Sequence, residues 1–193
     1  MKKISKLYKI ELEFLKDAIN NGKNDYHTFV FSTLNDNFPK SRIVVLRNLL
    51  VDPLKIYFNA DFRSPKVAEL KQNSSCTALF YDKKRKVQIR FKCKSTVHYQ
   101  NDYAKQAWLK TRLQSRKCYM GPFAPSKKLD EWHPNIPLEY SKSDPEKLHS
   151  EVGYINFTHI ELKVVESDIL QLYHNGHIRF RVDNKQNLCY LSP

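Results

Sequence analysis

Arg42 and Arg47 bracket the apolar run Ile43-Val44-Val45-Leu46, and Ser64 and Lys66 follow in the segment Phe62-Arg63-Ser64-Pro65-Lys66. These residue types suit one ligand chemistry. The cations supply charge, the serine supplies a hydroxyl, and a helix opened by Pro65 supplies unpaired backbone amides, so together they can hold a dianionic phosphate. Taken singly, each has a plainer reading as a surface cation or an ordinary serine cap.

Other chemistries lack their residues. With four glycines the chain carries neither a P-loop nor G-x-G-x-x-G, so a glycine-rich phosphate cradle is not the design. H-E-x-x-H and C-x-x-C spacings are missing and the seven histidines are scattered, which leaves no metal-ligand pattern. No G-x-S-x-G elbow supports a Ser-His-Asp triad. Cys76, Cys93, Cys118 and Cys189 lie far apart and are expected to be free, mostly buried thiols.

The elements that must position these residues are read from periodicity. Apolar side chains at Ile4, Leu7, Tyr8, Leu12, Leu15, Ala18 and Ile19 recur near every 3.6 residues, predicting an amphipathic helix that ends at Asn20-Asn21-Gly22. Thr28–Leu34 is a predicted strand, with a turn at Asn35-Asp36-Asn37 and Pro39. Arg42–Leu50 is a second strand whose continuous apolar run implies burial on both faces, and Lys55–Ala60 a third. Ser64 caps a short helix running to about Gln72, with Pro65 at its first position. Cys76–Tyr81 and Val87–Val97 form a hairpin, the latter alternating apolar and polar residues with period two. Asn101–Ser115 reads as one helix. Residues 119–146 hold five of the nine prolines and read as a long loop of the kind that is usually functional. Tyr154–Val165 and Leu170–Tyr173 are two further strands, and Asn175-Gly176 predicts a type I′ hairpin turn leading to Ile178–Val182 and a last strand near Leu188–Leu191. At least seven strands with three helices argue for a mainly β barrel with flanking helices rather than a doubly wound sheet.

Composition sets outer limits. The chain has 193 residues, 41% hydrophobic and 12% aromatic, enough for a real core without staples. No apolar stretch approaches a membrane span. The start Met1-Lys2-Lys3-Ile4-Ser5-Lys6 has the charge of a leader peptide without its apolar run, so a cytoplasmic address is expected. The net charge of +13, from 33 Lys+Arg against 20 Asp+Glu, attracts anions in general. The densest run, Lys83-Lys84-Arg85-Lys86, reads as a solvated hairpin tip.

Four segments in order carry a family resemblance. Ser41-Arg42-Ile43-Val44-Val45-Leu46-Arg47 resembles the Arg-x-Val-Leu-Leu-Lys strand of pyridoxamine-phosphate oxidases. Asn59-Ala60-Asp61-Phe62-Arg63-Ser64-Pro65-Lys66-Val67-Ala68-Glu69-Leu70 resembles their Ser-Arg-Lys helix start, and Gln88-Ile89-Arg90-Phe91 their Gln-Val-Arg-Val strand. Gly176-His177-Ile178-Arg179-Phe180-Arg181 and Leu191-Ser192-Pro193 resemble their C-terminal strands. Arg-Ser-Pro-Lys and the loop Ser115–Pro122 look closest to the oxidase-related branch called the Alr type. The resemblance implies an FMN-binding split β-barrel over 25–193, with the helix of 1–24 packed on it, assembled as an intertwined homodimer with FMN at the interface. It implies that Arg42, Ser64 and Lys66 hold the flavin phosphate. It places Ile43 among the cofactor contacts, with Val44, Val45 and Arg47 lining the isoalloxazine ring and Asn59 and Ala60 beside it. Gln88 bonds its polar edge, and Arg181 reaches a flavin across the dimer.

Departures from the family bear on the reaction. Where the oxidases carry an Arg-Leu-His clamp, this chain reads His177-Ile178-Arg179, and their Tyr, Arg and Ser phosphate contacts align with Ala107, Thr111 and Ser115. The flavin site is thus retained better than the site for pyridoxine phosphate. Candidate contacts to an unidentified small substrate are Arg47, Ser115, His177 and Arg179; no catalytic acid or base stands out, which suits hydride transfer to a flavin. Two other functions stay open: a non-enzymatic flavin or haem binder, with His159, His174 and His177 as conceivable axial ligands, and a basic nucleic-acid-binding barrel, which lacks an RNP- or OB-type signature.

Overall fold

In the computed structural model, which describes residues 2–35 and 37–193, the amphipathic start of the chain is a helix, α1 (Lys2–Ala18). Ile4, Leu12, Leu15 and Ala18 are buried, and that apolar stripe, more than intrinsic propensity, stabilises the helix. One acid sits within it. Glu11 is 1% exposed and accepts hydrogen bonds from Tyr26 Oη (3.0 Å), Arg85 Nη1 (2.9 Å) and Gln171 Nε2 (3.3 Å). A buried carboxylate is costly unless paired and hydrogen-bonded; these three donors meet that need and latch α1 to three distant segments.

Among the described residues nine strands follow: β1 (Thr28–Asn35), β2 (Phe38–Val45), β3 (Asn48–Val51), β4 (Leu54–Asp61), β5 (Ser75–Asp82), β6 (Val87–His98), β7 (Phe157–Gln171), β8 (Ile178–Asp183) and β9 (Leu188–Leu191). Their order is β2-β1-β5-β6-β7-β4-β3, with β8 on β7 and β9 on β8. The helices α2 (Pro65–Gln72), α3 (Asp102–Leu109), α4 (Leu113–Met120) and α5 (Lys147–Ser150) complete the chain. The mainly β class with flanking helices is therefore as expected, and the β5–β6 hairpin keeps the expected alternation, with Val87, Ile89, Phe91 and Cys93 buried.

The chain forms two compact units. The first comprises the residues up to Phe58 together with Asn73–Thr96 and Glu161–Pro193. Its core is aromatic: Phe29 stacks on Phe80 with ring centroids 4.7 Å apart, and Phe31 meets Phe58 at 4.8 Å. The second comprises Asn59–Gln72 and Val97–Ile160, where Trp108, Tyr119 and Phe157 pack edge to face at 5.0–5.9 Å.

Several elements differ from the periodicity reading. Arg42–Leu50 is not one strand. β2 pairs with β1 as far as Thr28↔Val45, and β3 pairs with β4 from Asn48↔Tyr57. Between them the Leu46 amide donates to His27 O (2.9 Å) and the Arg47 amide to Tyr57 O (2.8 Å), so the segment stays extended while it changes partner. Nor is the apolar run buried on both faces: Leu46 is enclosed, but Ile43 is 71% exposed, because β2 ends the strand order and has only β1 beside it. Pro39 lies inside β2 rather than in the turn, as an edge strand permits; Asp36 of that turn lies outside the described residues.

Asn101–Ser115 is two helices, not one. Asn101 caps α3 by accepting from the Ala104 amide, and just past its end Arg116 ties down the turn into α4. The Arg116 guanidinium, 2% exposed, donates to Trp108 O (2.9 Å), Thr111 O (3.2 Å), Ser150 Oγ (2.9 Å) and Glu151 Oε1 (2.8 Å).

The two predicted late strands are one, β7, and Tyr154 belongs instead to a 3-10 turn, Glu151–Asn156. Between the two expected strands Glu166-Ser167-Asp168 is polar, yet each member is satisfied from the same unit: Glu166 by Lys92 (2.9 Å) and Arg181 (3.3 Å), Ser167 by Tyr8 (3.1 Å), Asp168 by Arg90 and Arg179. Asn175-Gly176 is not a type I′ turn. Only Gly176 of the pair has positive φ (119°), and pairing of β7 with β8 stops at Gln171↔Ile178, leaving a wider loop. Finally, the hairpin tip is only partly solvated: Lys83, Lys84 and Lys86 are exposed, while Arg85 turns inward to Glu11 and Asp82.

Candidate functional site

The expected cofactor contacts divide between the two units. In the first, Arg42 is half-buried on β2, and its Nη1 donates to Thr33 Oγ1 on β1 at 2.6 Å. Val44 and Val45 are half-buried at the end of the strand and Ile43 faces outward. Arg47 is exposed where the chain changes partner. Gln88 is half-buried opposite Tyr81. Among the described residues, the side chains of Arg47 and Gln88 make no hydrogen bond or ion pair, so both are available to a ligand.

The C-terminal candidates are more committed. Arg181 on β8 donates to Glu166 (3.3 Å), which also receives Lys92; with its side chain 42% exposed, Arg181 remains open to solvent. Arg179 is clamped: Nε donates to Asp168 Oδ1 at 3.1 Å and Nη2 to Oδ2 at 2.8 Å, while Arg90 Nη2 reaches Oδ2 at 2.6 Å. Burial works to raise the Asp168 carboxyl, but the hydrogen bonds from Arg179 and Arg90 outweigh it and hold the group below the usual carboxylate range. The His177 ring accepts the Tyr173 amide at 3.2 Å and closes the β7–β8 loop; His174 is exposed there.

In the second unit, β4 ends in Asn59, Ala60 and Asp61, and α2 begins four residues later. Asp61 organises the turn: its carboxylate receives the Arg63 amide (2.8 Å) and the Arg63 guanidinium (3.0 and 2.7 Å), and Arg63 Nη2 also donates to Gly121 O (3.1 Å). Ser64 is buried, and its Oγ donates to Asp61 O at 2.6 Å, so its hydrogen is taken and the hydroxyl must rotate to serve a phosphate. Lys66 is half-buried in the first turn of α2. Ser115 is half-buried in α4.

Periodicity and motif reading missed a polar cluster in this unit. Asn59 Oδ1 lies 2.7 Å from His159 Nδ1, Asn59 Nδ2 donates to Thr111 Oγ1 at 3.4 Å, and Thr111 Oγ1 donates to Ala107 O at 2.9 Å. No short-range pattern links residues 59, 111 and 159; the only signal was a histidine in an apolar strand. Of the expected loop 119–146, Tyr119 and Met120 belong to α4, and the stretch beyond has its own anchor, since Asn135 exchanges two side-chain hydrogen bonds with the Phe123 backbone (3.0 and 2.9 Å). A Cβ on Gly121 would meet Asn135 O at 2.1 Å. Among the described residues no three His, Cys, Asp or Glu side chains come together to hold a metal, and no helix is long and apolar enough to cross a membrane.

Comparison with known proteins places this geometry. The model of the family described as pyridoxamine 5'-phosphate oxidase, FMN-binding domain, matches residues 11–99. No curated protein matches the chain in sequence. Among solved structures, a pyridoxamine 5'-phosphate oxidase-related, FMN-binding protein from Nostoc punctiforme superposes with a TM-score of 0.71 at 17% identity, covering 96% of this chain and 97% of its own. PhzG from Burkholderia lata, solved in complex with tetrahydrophenazine-1-carboxylic acid, gives 0.66 at 15% identity, covering 97% and 91%. A Clostridium acetobutylicum protein related to general stress protein 26 gives 0.57 at 11% identity, covering 90% and 93%. The expected split β-barrel with flanking helices is thus the fold of these structures as well.

Proposed function

We propose that this chain, whose residues 11–99 match the pyridoxamine 5'-phosphate oxidase FMN-binding domain and whose fold is that of the oxidase-related proteins, binds FMN and acts as an oxidoreductase on a small substrate. The family match carries the reading. It spans Arg42, Ile43, Val44, Val45, Arg47, Asn59, Ala60, Ser64, Lys66 and Gln88, every expected cofactor contact except Arg181.

The donor set fits a flavin phosphate in its chemistry. Arg42 and Lys66 bring positive charge, and the first turn of α2, opened by Pro65, brings backbone amides. Arg47 and Gln88, whose side chains are unengaged, suit the polar edge of the ring; a cation or donor there favours an anionic reduced flavin. When bound, FMN supplies the hydride and electron chemistry, and the protein binds, orients and shields it. With alanine and threonine at 107 and 111, we read the substrate as something other than pyridoxine phosphate, and we place the chain in the Alr-type branch. Arg47, Ser115 and His177 remain its candidate contacts; Arg179 serves only if it leaves Asp168.

The protein is further proposed to be a cytoplasmic homodimer with FMN at the interface. In support, β2 presents Phe38 (74% exposed) and Ile43 to solvent, an apolar edge that a second copy would cover.

Absorption of the purified protein tests the cofactor. Bands near about 370 and 450 nm are expected, with one FMN taken up per chain on titration of the stripped protein. Colourless protein that leaves FMN fluorescence unquenched overturns the proposal; a Soret band points to haem instead. Anaerobic bleaching by NADH, NADPH or pyridoxamine phosphate separates an enzyme from a flavin carrier.

A further inference from the structure

The hydrogen bonds joining Thr111, Asn59 and His159 have a determined direction. Thr111 Oγ1 spends its single hydrogen on Ala107 O at 2.9 Å, so its lone pairs can only accept. Asn59 Nδ2 supplies that donor at 3.4 Å. With its nitrogen turned to Thr111, the Asn59 amide shows its oxygen to His159 Nδ1 at 2.7 Å. An amide oxygen only accepts, so Nδ1 carries the proton. The hydroxyl at the end of α3 thereby fixes the histidine tautomer on β7, and the histidine, 8% exposed, fixes the amide on β4.

We infer that His159 is a positioning residue for the flavin site. Its Nδ1–H holds the Asn59 amide in one of its two orientations and so sets the Asn59–Ala60 segment proposed to lie beside the isoalloxazine ring. The same bonds end at the Thr111 hydroxyl and the Ala107 carbonyl. A change at His159 therefore reaches the ring-side strand through Asn59. This inference rests on the flavin reading above.

The test compares wild type, His159→Leu, which removes the donor, and His159→Asn, whose Nδ2–H can stand where Nδ1–H stood. Each is stripped and titrated with FMN, and three quantities are read: the dissociation constant, the position and fine structure of the band near about 450 nm, and the thermal midpoint of the apoprotein. His159→Leu is expected to weaken FMN binding roughly three- to tenfold, the equilibrium value of one hydrogen bond, and to shift the visible band. His159→Asn is expected to restore both. A Leu variant with a lowered thermal midpoint but wild-type affinity and spectrum shows a purely structural histidine and overturns the inference alone. Wild-type protein that binds no FMN overturns the flavin reading and this inference with it. Should the Leu variant not fold, Thr111→Val, which removes the other anchor of the Asn59 amide, is read the same way: a shifted band supports the inference and an unchanged one overturns it.

Discussion

Arg179 donates two parallel hydrogen bonds to Asp168, Nε to Oδ1 at 3.1 Å and Nη2 to Oδ2 at 2.8 Å. A guanidinium read from sequence as a substrate contact is thus held side-on by a carboxylate one strand away, and Arg90 binds the same carboxylate. Asp168 is buried, and in that setting bidentate geometry gives the pair strength as well as direction.

Asp168 should tie stability to acid pH. Its carboxyl is depressed below its ordinary 3.8, so its contribution is fully present above that value and is lost as the pH falls through the lower folded value. Urea midpoints of wild type and Asp168→Asn are therefore expected to differ at neutral pH and to converge below about pH 4. A gap that stays constant from pH 7 to pH 3 would falsify this assignment.

Removing either cation proposed to hold the flavin phosphate should weaken cofactor binding. Arg42→Ala and Lys66→Ala are each expected to cost about 1.5–3 kcal/mol, roughly ten- to hundredfold in FMN affinity. Fluorescence titration of the stripped proteins measures it; variants that retain wild-type affinity place the phosphate elsewhere.

The latch on α1 should carry more stability than its exposed neighbours. Glu11→Ala takes from Arg85 one of its two buried carboxylates, leaving Asp82, and strands the Tyr26 and Gln171 donors as well, so it is expected to cost about 3 kcal/mol. Tyr26→Phe, which removes one hydrogen bond to Glu11, should cost about 1 kcal/mol. Chemical denaturation orders the two, and equal losses contradict the arrangement.

Two glycines should respond in opposite ways. At Gly121 an added Cβ falls 2.1 Å from Asn135 O, a backbone atom, while at Gly22 nothing lies within 4 Å. Gly121→Ala is expected to lose about 2 kcal/mol or more, and Gly22→Ala to stay within about 0.5 kcal/mol of wild type. Thermal unfolding distinguishes them, and a neutral Gly121→Ala argues against the Asn135 anchor.

Much of the architecture was legible in the chain itself, because it follows from local periodicity. The stripe of Ile4, Leu12, Leu15 and Ala18 marks α1, and the alternation from Val87 to Val97 marks β6, since side-chain direction repeats with the backbone of each element. The order of four short motifs likewise pointed to the FMN-binding-domain family whose model matches residues 11–99. What tertiary structure decided were matters of partnership between residues far apart in sequence. The Arg42–Leu50 segment reads as one strand, and only the bonds of Leu46 to His27 and Arg47 to Tyr57 divide it. Polar Glu166-Ser167-Asp168 falls between two expected strands until Lys92, Arg181, Tyr8, Arg90 and Arg179 meet it. Arg116 binds the carbonyls of Trp108 and Thr111 at the turn between α3 and α4, bonds that no pattern in its own helix announces. Asn59, Thr111 and His159 meet across a hundred residues. Apolar period records which face of an element is dry; it carries no record of which donor, from elsewhere in the chain, satisfies a polar group once that face is closed.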